Sequence, residues 1–243
     1  MTYNKKRALS YGGILISVFL AYFCRLVRPE NVFMRNLADQ CRNCIYLGMY
    51  CAWVIYLEKH VVHKKMRRCL TGIGCLMVFW FFIRTVKFHI FYEPLGEHIC
   101  WYLYYVPMIL IPVLGLSAAL FFVEKDEEKT VRKIIMLLSV AVVLIISVFT
   151  NDLHQLVFRF SGRPPLSDRD YSYGILFVVI QGWIIFCLIW MEIMLIRKSR
   201  IPGRKQFWLP VIPGILLLGW NIGNLLRLPL IKTIAGDMTA VCC

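Results

Sequence analysis

The sequence predicts an all-α, polytopic membrane helical bundle with about seven transmembrane helices and the start of an eighth. Three observations carry that reading. Mean hydropathy is +0.65, and hydrophobic residues make up 59% of the 243 against 17% charged, a balance outside that of ordinary soluble domains. Seven apolar runs approach the ~20 residues that a helix needs to cross a bilayer. They cover residues 9–27, 41–58, 69–90, 99–123, 133–150, 172–196 and 206–226. The 28 lysines and arginines cluster between those runs. In a soluble chain a net charge of +14 would point to nucleic acid. Placed between spans, it reads as the positive-inside bias instead, and no nucleic-acid partner is expected. The connections are short, so residues 1–243 form a single transmembrane domain.

Taken in order, the first run follows Lys5, Lys6 and Arg7 and resembles a signal peptide in charge and apolarity. No small-x-small cleavage site follows Ala21, so it is expected to remain as a first helix, closed by Pro29. With the N-terminus inside, the inner segments carry 17 lysines and arginines and the outer ones 11. That asymmetry predicts a plasma-membrane protein with a cytoplasmic N-terminus.

The second run contains Cys41-Arg42-Asn43-Cys44. Isolated from any second pair, these cysteines read as small packing residues rather than a metal or redox site. The third run ends in Arg84 and Lys87, which share a helix face. They either snorkel to headgroups or face an anion. The fourth opens on Trp101, Tyr102, Tyr104 and Tyr105, an interfacial aromatic belt. Pro107 and Pro112 then bend it. The fifth run stops abruptly at Thr150-Asn151-Asp152-Leu153-His154. In a continued helix Asn151, His154 and Phe158 would lie on one face. After a turn-rich outer segment at 161–170, Tyr171 and Tyr173 mark re-entry into the sixth run. The seventh holds Asn221 and Asn224 on one face, where they can hydrogen-bond across helices.

Three patches carry a family resemblance. The first is Trp101-Tyr102-Leu103-Tyr104-Tyr105-Val106-Pro107 with Pro112, Ala119 and Leu120. The second is Thr150-Asn151-Asp152-Leu153-His154-Gln155-Leu156-Val157-Phe158, and the third is Gly236-Asp237-Met238-Thr239-Ala240. They resemble the N-terminal seven-transmembrane sensor region of bacterial histidine kinases, the second matching a T-N-x-L-H-x-L-F signature and the third a D-L-T-P helix start. The chain departs from the pattern in an extra N-terminal helix and in Ala240, where the family has proline. The resemblance implies the input region of a two-component receptor that detects an extracytoplasmic or intramembrane signal. No kinase activity is expected of the chain itself, because the output domain is absent from it. Residues 237–243 match only the first turns of a membrane helix, so the chain is expected to be an incomplete receptor.

The expected ligand cavity opens outward. Arg84 and Lys87 would hold an anion, Asn151 would fix geometry beside Asp152, and His154 would read pH or donate to a ligand. Trp101, Tyr105 and Asn221 would complete the wall. The expected partners are membrane lipid, a small molecule or pH as signal, and a second copy in a homodimer. No cofactor or metal is expected. The rival reading is a small-solute transporter or membrane enzyme subunit. It lacks support in the sequence, which holds no G-x-S-x-G, no H-E-x-x-H and no internal repeat.

Overall fold

Residues 13, 16–24, 32–89, 94–124, 126–160, 171–199, 219 and 223 are described by the structure, a computed structural model. The described elements are α1 (Val32–His60), α2 (Lys64–His89), α3 (Pro94–Leu103), α4 (Tyr105–Val123), α5 (Glu127–Phe149), α6 (Asn151–His154), β1 (Phe158–Phe160), β2 (Tyr171–Tyr173) and α7 (Ile175–Ser199). A membrane helical bundle is therefore what these residues form, with a two-stranded antiparallel sheet added at one end. Four described segments are long and apolar enough to cross a membrane: Lys64–Lys87, Leu95–Val123, Glu127–Phe149 and Ile175–Lys198. Most of the expected helix at 206–226, the start of another at 237–243 and the turn-rich segment 161–170 lie outside the described residues. The first run is described as helix at residues 13 and 16–24.

The helix ends differ from the hydropathy reading for identifiable reasons. Helix α1 begins at Val32 rather than near 41, because Asp39 and Arg42 are polar yet helix-compatible and pair at 3.0 Å one turn apart. Helix α2 begins at Lys64, where the imidazole of His63 accepts the Met66 N–H at 3.3 Å and so caps the helix. Arg67 then closes the short α1–α2 turn by donating to the carbonyls of Glu58 and Val61. Helix α5 begins at Glu127. The Asp126 carboxylate caps it by accepting the Lys129 N–H at 3.2 Å, and Glu127 and Glu128 suit the positive end of the helix dipole.

The run 99–123 is two helices, not one. Tyr104 interrupts it with a tightened bond from its N–H to the Trp101 carbonyl at 3.2 Å. Pro107, which has no N–H to return to the Leu103 carbonyl, enforces the break. The sixth run also starts later than expected. Tyr171 to Tyr173 form a strand, and α7 begins at Ile175.

Among the described elements α4 is the central one. It packs against α2, α7 and α5, while α1 packs on the far side of α2. Ile109, Val113, Leu116 and Leu120 on α4 are fully buried, with Leu137 and Ala141 of α5 and Ile180 and Cys187 of α7. A second cluster joins Tyr46 and Tyr50 of α1 to Met77 and Phe81 of α2, with Ala21 from the first helix. At the α4–α5 turn, Glu124 accepts hydrogen bonds from Lys133 at 2.6 Å and Thr130 at 2.9 Å. Burial pushes the Glu124 carboxyl upward, but those two donors outweigh it and hold its pKa below the usual carboxylate value.

Candidate functional site

The helical turn that ends α5 is built around one side chain. The Thr150 hydroxyl donates to the Ile146 carbonyl at 2.8 Å, closing α5. Asn151 begins the single turn of α6, and its carbonyl accepts the Gln155 N–H at 2.7 Å. Gln155 then takes a left-handed conformation (φ 50°), ending the helix. Asn151 is fully buried and uses all of its hydrogen-bonding capacity. Its carbonyl oxygen accepts the N–H groups of Val157 and Phe158 at 3.0 and 2.9 Å. Its amide donates to the Phe158 carbonyl and to the Tyr102 hydroxyl, both at 3.1 Å. An asparagine is required there because only an amide offers two donors and two acceptor lone pairs on one short stem.

The consequence is that the chain after Gln155 does not continue as helix. Phe158 lies in β1, opposite Tyr173, so the expected helical face of Asn151, His154 and Phe158 is replaced by a hairpin clamped on Asn151. The Gly174 N–H donates to the Val157 carbonyl and the Leu176 N–H to the Leu156 carbonyl. Gly174 permits this close approach, since a Cβ there would collide with the Leu156 carbonyl.

Beside Asn151 lies the polar junction between α3 and α6. Asp152 is half-exposed. One of its oxygens accepts the Tyr102 hydroxyl at 2.6 Å and meets His98 Nε2 at 3.1 Å. His98 is buried, and its Nδ1 has no hydrogen-bond partner among the described residues. Its ring packs against Tyr102 at 4.4 Å and Phe160 at 5.4 Å. Tyr102 thus donates to the carboxylate while accepting from Asn151. One phenol ties the exposed charge to the buried amide.

The remaining expected site residues fall around this junction in distinct ways. Trp101 and Tyr105 are buried in the aromatic cluster under the hairpin, 4.4 and 5.2 Å from the Phe158 ring. His154 faces back along the chain. Its Nδ1 accepts the Leu156 N–H at 3.0 Å and Nε2 meets the Ser147 carbonyl at 3.1 Å, which assigns the neutral tautomer with the proton on Nε2. Arg84 and Lys87 lie on α2, over the rings of Trp80 and Tyr104 respectively, and Lys87 is buried. Among the described residues Asp152 is met by His98 and Tyr102, not by the α2 cations. Asn221 lies outside the described residues.

Sequence reasoning missed His98 and the role of Tyr102. Their i, i+4 spacing on one face of α3 was the available signal, but the partner carboxylate is some fifty residues away and no local pattern points to it. Cys41 and Cys44 are exposed free thiols on α1. Among the described residues, no group of three or more potential ligands is placed to hold a metal.

No curated protein and no solved structure matches the chain. The model of one family, described as the N-terminal 7TM region of histidine kinase, matches residues 43–243. That span takes in α2 to α7, most of α1 and the whole Asn151 junction, and the chain belongs to this family.

Proposed function

We propose that the chain is the membrane-embedded input region of a bacterial signal-transduction receptor, detecting an extracytoplasmic or intramembrane signal and passing it on by helix displacement. In this reading it has seven spans, its N-terminus is cytoplasmic, and the Asn151 end of the bundle faces outward. Family membership supports the sensor assignment. The observation that carries the location is the α3–α6 junction. There a half-exposed carboxylate takes two side-chain donors from a separate, short helix. A ligand or proton that competes for Asp152, His98 or Tyr102 changes how α3 sits on α6. That is the differential interaction a two-state receptor requires.

Of the wider set, Asn151 and His154 shape the platform, and Trp101 and Tyr105 form its apolar floor. Arg84 and Lys87 supply cations on the neighbouring helix for an anionic signal. A second copy of the chain is the natural partner for relay across the membrane.

The test is a chimaera in which this chain replaces the matching region of a family member with a known kinase output, reconstituted in liposomes. Asp152→Asn and Tyr102→Phe are expected to shift autophosphorylation at least fivefold or to displace its pH dependence, with the fold retained. Output unchanged in both variants would overturn the junction as the sensing point. Solute flux carried by the chain alone would overturn the sensor reading in favour of a transporter.

A further inference from the structure

The carboxylate of Asp152 is only half used by the fold. Both of its side-chain contacts, from the Tyr102 hydroxyl and with His98 Nε2, fall on Oδ1. Oδ2 has no partner among the described residues, and the side chain is 49% exposed. Behind it His98 is more than nine-tenths buried, with Nδ1 unpartnered. Arg84 and Lys87 lie over the rings of Trp80 and Tyr104 instead. The group that this junction offers to an incoming molecule is therefore an acceptor.

Its surroundings are apolar. Phe149 is 41% exposed and Leu153 88%. The Thr150 N–H bonds the Ile146 carbonyl and the Leu153 N–H the Thr150 carbonyl, so the chain keeps a helical path there and Phe149, Asp152 and Leu153 share a face. The exposed stripe continues down α5 through Ile146 and Val142. Phe149 is the last residue of the membrane-spanning segment Glu127–Phe149. Asp152 thus stands just past the span, with an apolar stripe leading from it into the bilayer. The Phe149 and Tyr102 rings meet edge to face at 6.4 Å beside the carboxylate. Ring faces and a carboxylate both attract an ammonium group. One carboxylate matches one positive charge, and the exposed charge on the adjacent strand β1 is Arg159, which disfavours a second. Glu97 is turned about 100° around α3 from His98 and does not join the pair.

We propose that the junction binds an amphiphilic amine carrying one positive charge, its ammonium on Asp152 Oδ2 and its alkyl body along Leu153, Phe149 and Ile146. The ammonium draws the carboxylate outward, away from the two groups that share Oδ1, and so loosens α3 on α6. The binding stands on the geometry of the junction. Its effect on output rests on the sensor reading above, and it sets a cation at the sensing point rather than the anion that Arg84 and Lys87 would attract.

The experiment uses the full chain in phosphatidylcholine nanodiscs with a diazirine-bearing dodecylamine and the matching alcohol and carboxylate, followed by peptide mapping. The amine is expected to label residues 142–156 about tenfold more than the alcohol does, and to be competed by unlabelled dodecylamine. The exposed face of α7 at Val179 and Phe186 serves as the lipid-contact control. Asp152→Asn is expected to abolish the preference for amine over alcohol, and Leu153→Ser to weaken labelling by all three probes. Should Asp152→Asn fail to fold, the wild-type comparison of the probes decides the head group. Equal labelling by amine and alcohol, or labelling of α7 to the same extent, overturns the site as bulk-lipid contact. Preferential labelling by the carboxylate overturns the cation. Loss of amine labelling when phosphatidylethanolamine is added overturns a free amine as occupant in favour of a lipid headgroup. Specific labelling by the amine with no change in the chimaera's kinase output upholds the site and overturns its coupling to signalling.

Discussion

Replacing Asn151 with leucine removes the partners of two backbone N–H groups, one carbonyl and the Tyr102 hydroxyl, all of them inside the protein. Each buried polar group left unpaired costs ~1–3 kcal/mol. Asn151→Leu is therefore expected to lose at least about 3 kcal/mol, read as a large fall in the thermal midpoint of the detergent-solubilised protein. His154 is a milder case, because its bonds are partly exposed. His154→Ala is expected to cost about 1 kcal/mol and to speed amide exchange at Leu156, while the protein still accumulates in the membrane. An unchanged exchange rate at Leu156 would remove the structural role assigned to the ring. Both residues stood out in the sequence, where polar groups gather suddenly after an apolar run. Their partners did not. Asn151 spends its hydrogen bonds on backbone atoms six and seven positions ahead and on a phenol 49 positions behind, relations that no local periodicity encodes.

Among the described elements, the helical cores were legible and their ends were not. Apolar length finds a span, but caps such as His63 and Asp126 and a backbone break such as Tyr104–Pro107 act through single hydrogen bonds that hydropathy does not register. The hairpin was hidden for a related reason. Tyr171 and Tyr173 suit an interfacial belt as well as a strand, and the clamp on Asn151 decides between them. Two element-scale outcomes follow. Gly174→Ala forces a Cβ onto the Leu156 carbonyl and is expected to unpair β1 from β2, seen as several-fold faster exchange at Phe158 and Phe160. Retention of wild-type protection would mean the backbone yields there without loss. At the α4–α5 turn, the Glu124 pKa is lowered in the folded protein, so its contribution is present above the unfolded carboxylate pKa and is lost as pH falls through the folded value. Glu124→Gln is expected to be less stable than wild type by ~0.5–1 kcal/mol at pH 7. That difference should shrink as pH falls below the unfolded carboxylate value and close below the lowered folded one, in paired thermal melts across pH.

For the molecule as a whole, the membrane bundle was readable from composition and charge spacing, because a bilayer imposes its thickness on every span. The arrangement of those spans was not, since packing order depends on side-chain shape. Orientation yields one more expectation. A reporter fused at Lys129, in the first turn of α5, should be cytoplasmic, and a membrane-impermeant label on Asp152→Cys should react only from outside. Labelling of that cysteine from the cytoplasmic side alone would invert the whole scheme. The central position of α4 has a further consequence. Close-packed interiors do not compress, so a push delivered through Tyr104 is felt by α2, α5 and α7 together rather than being absorbed locally. A bundle wired in this way has one shared axle. A ligand bound at the Asp152 junction would turn it, and every helix packed on α4 would register the same motion.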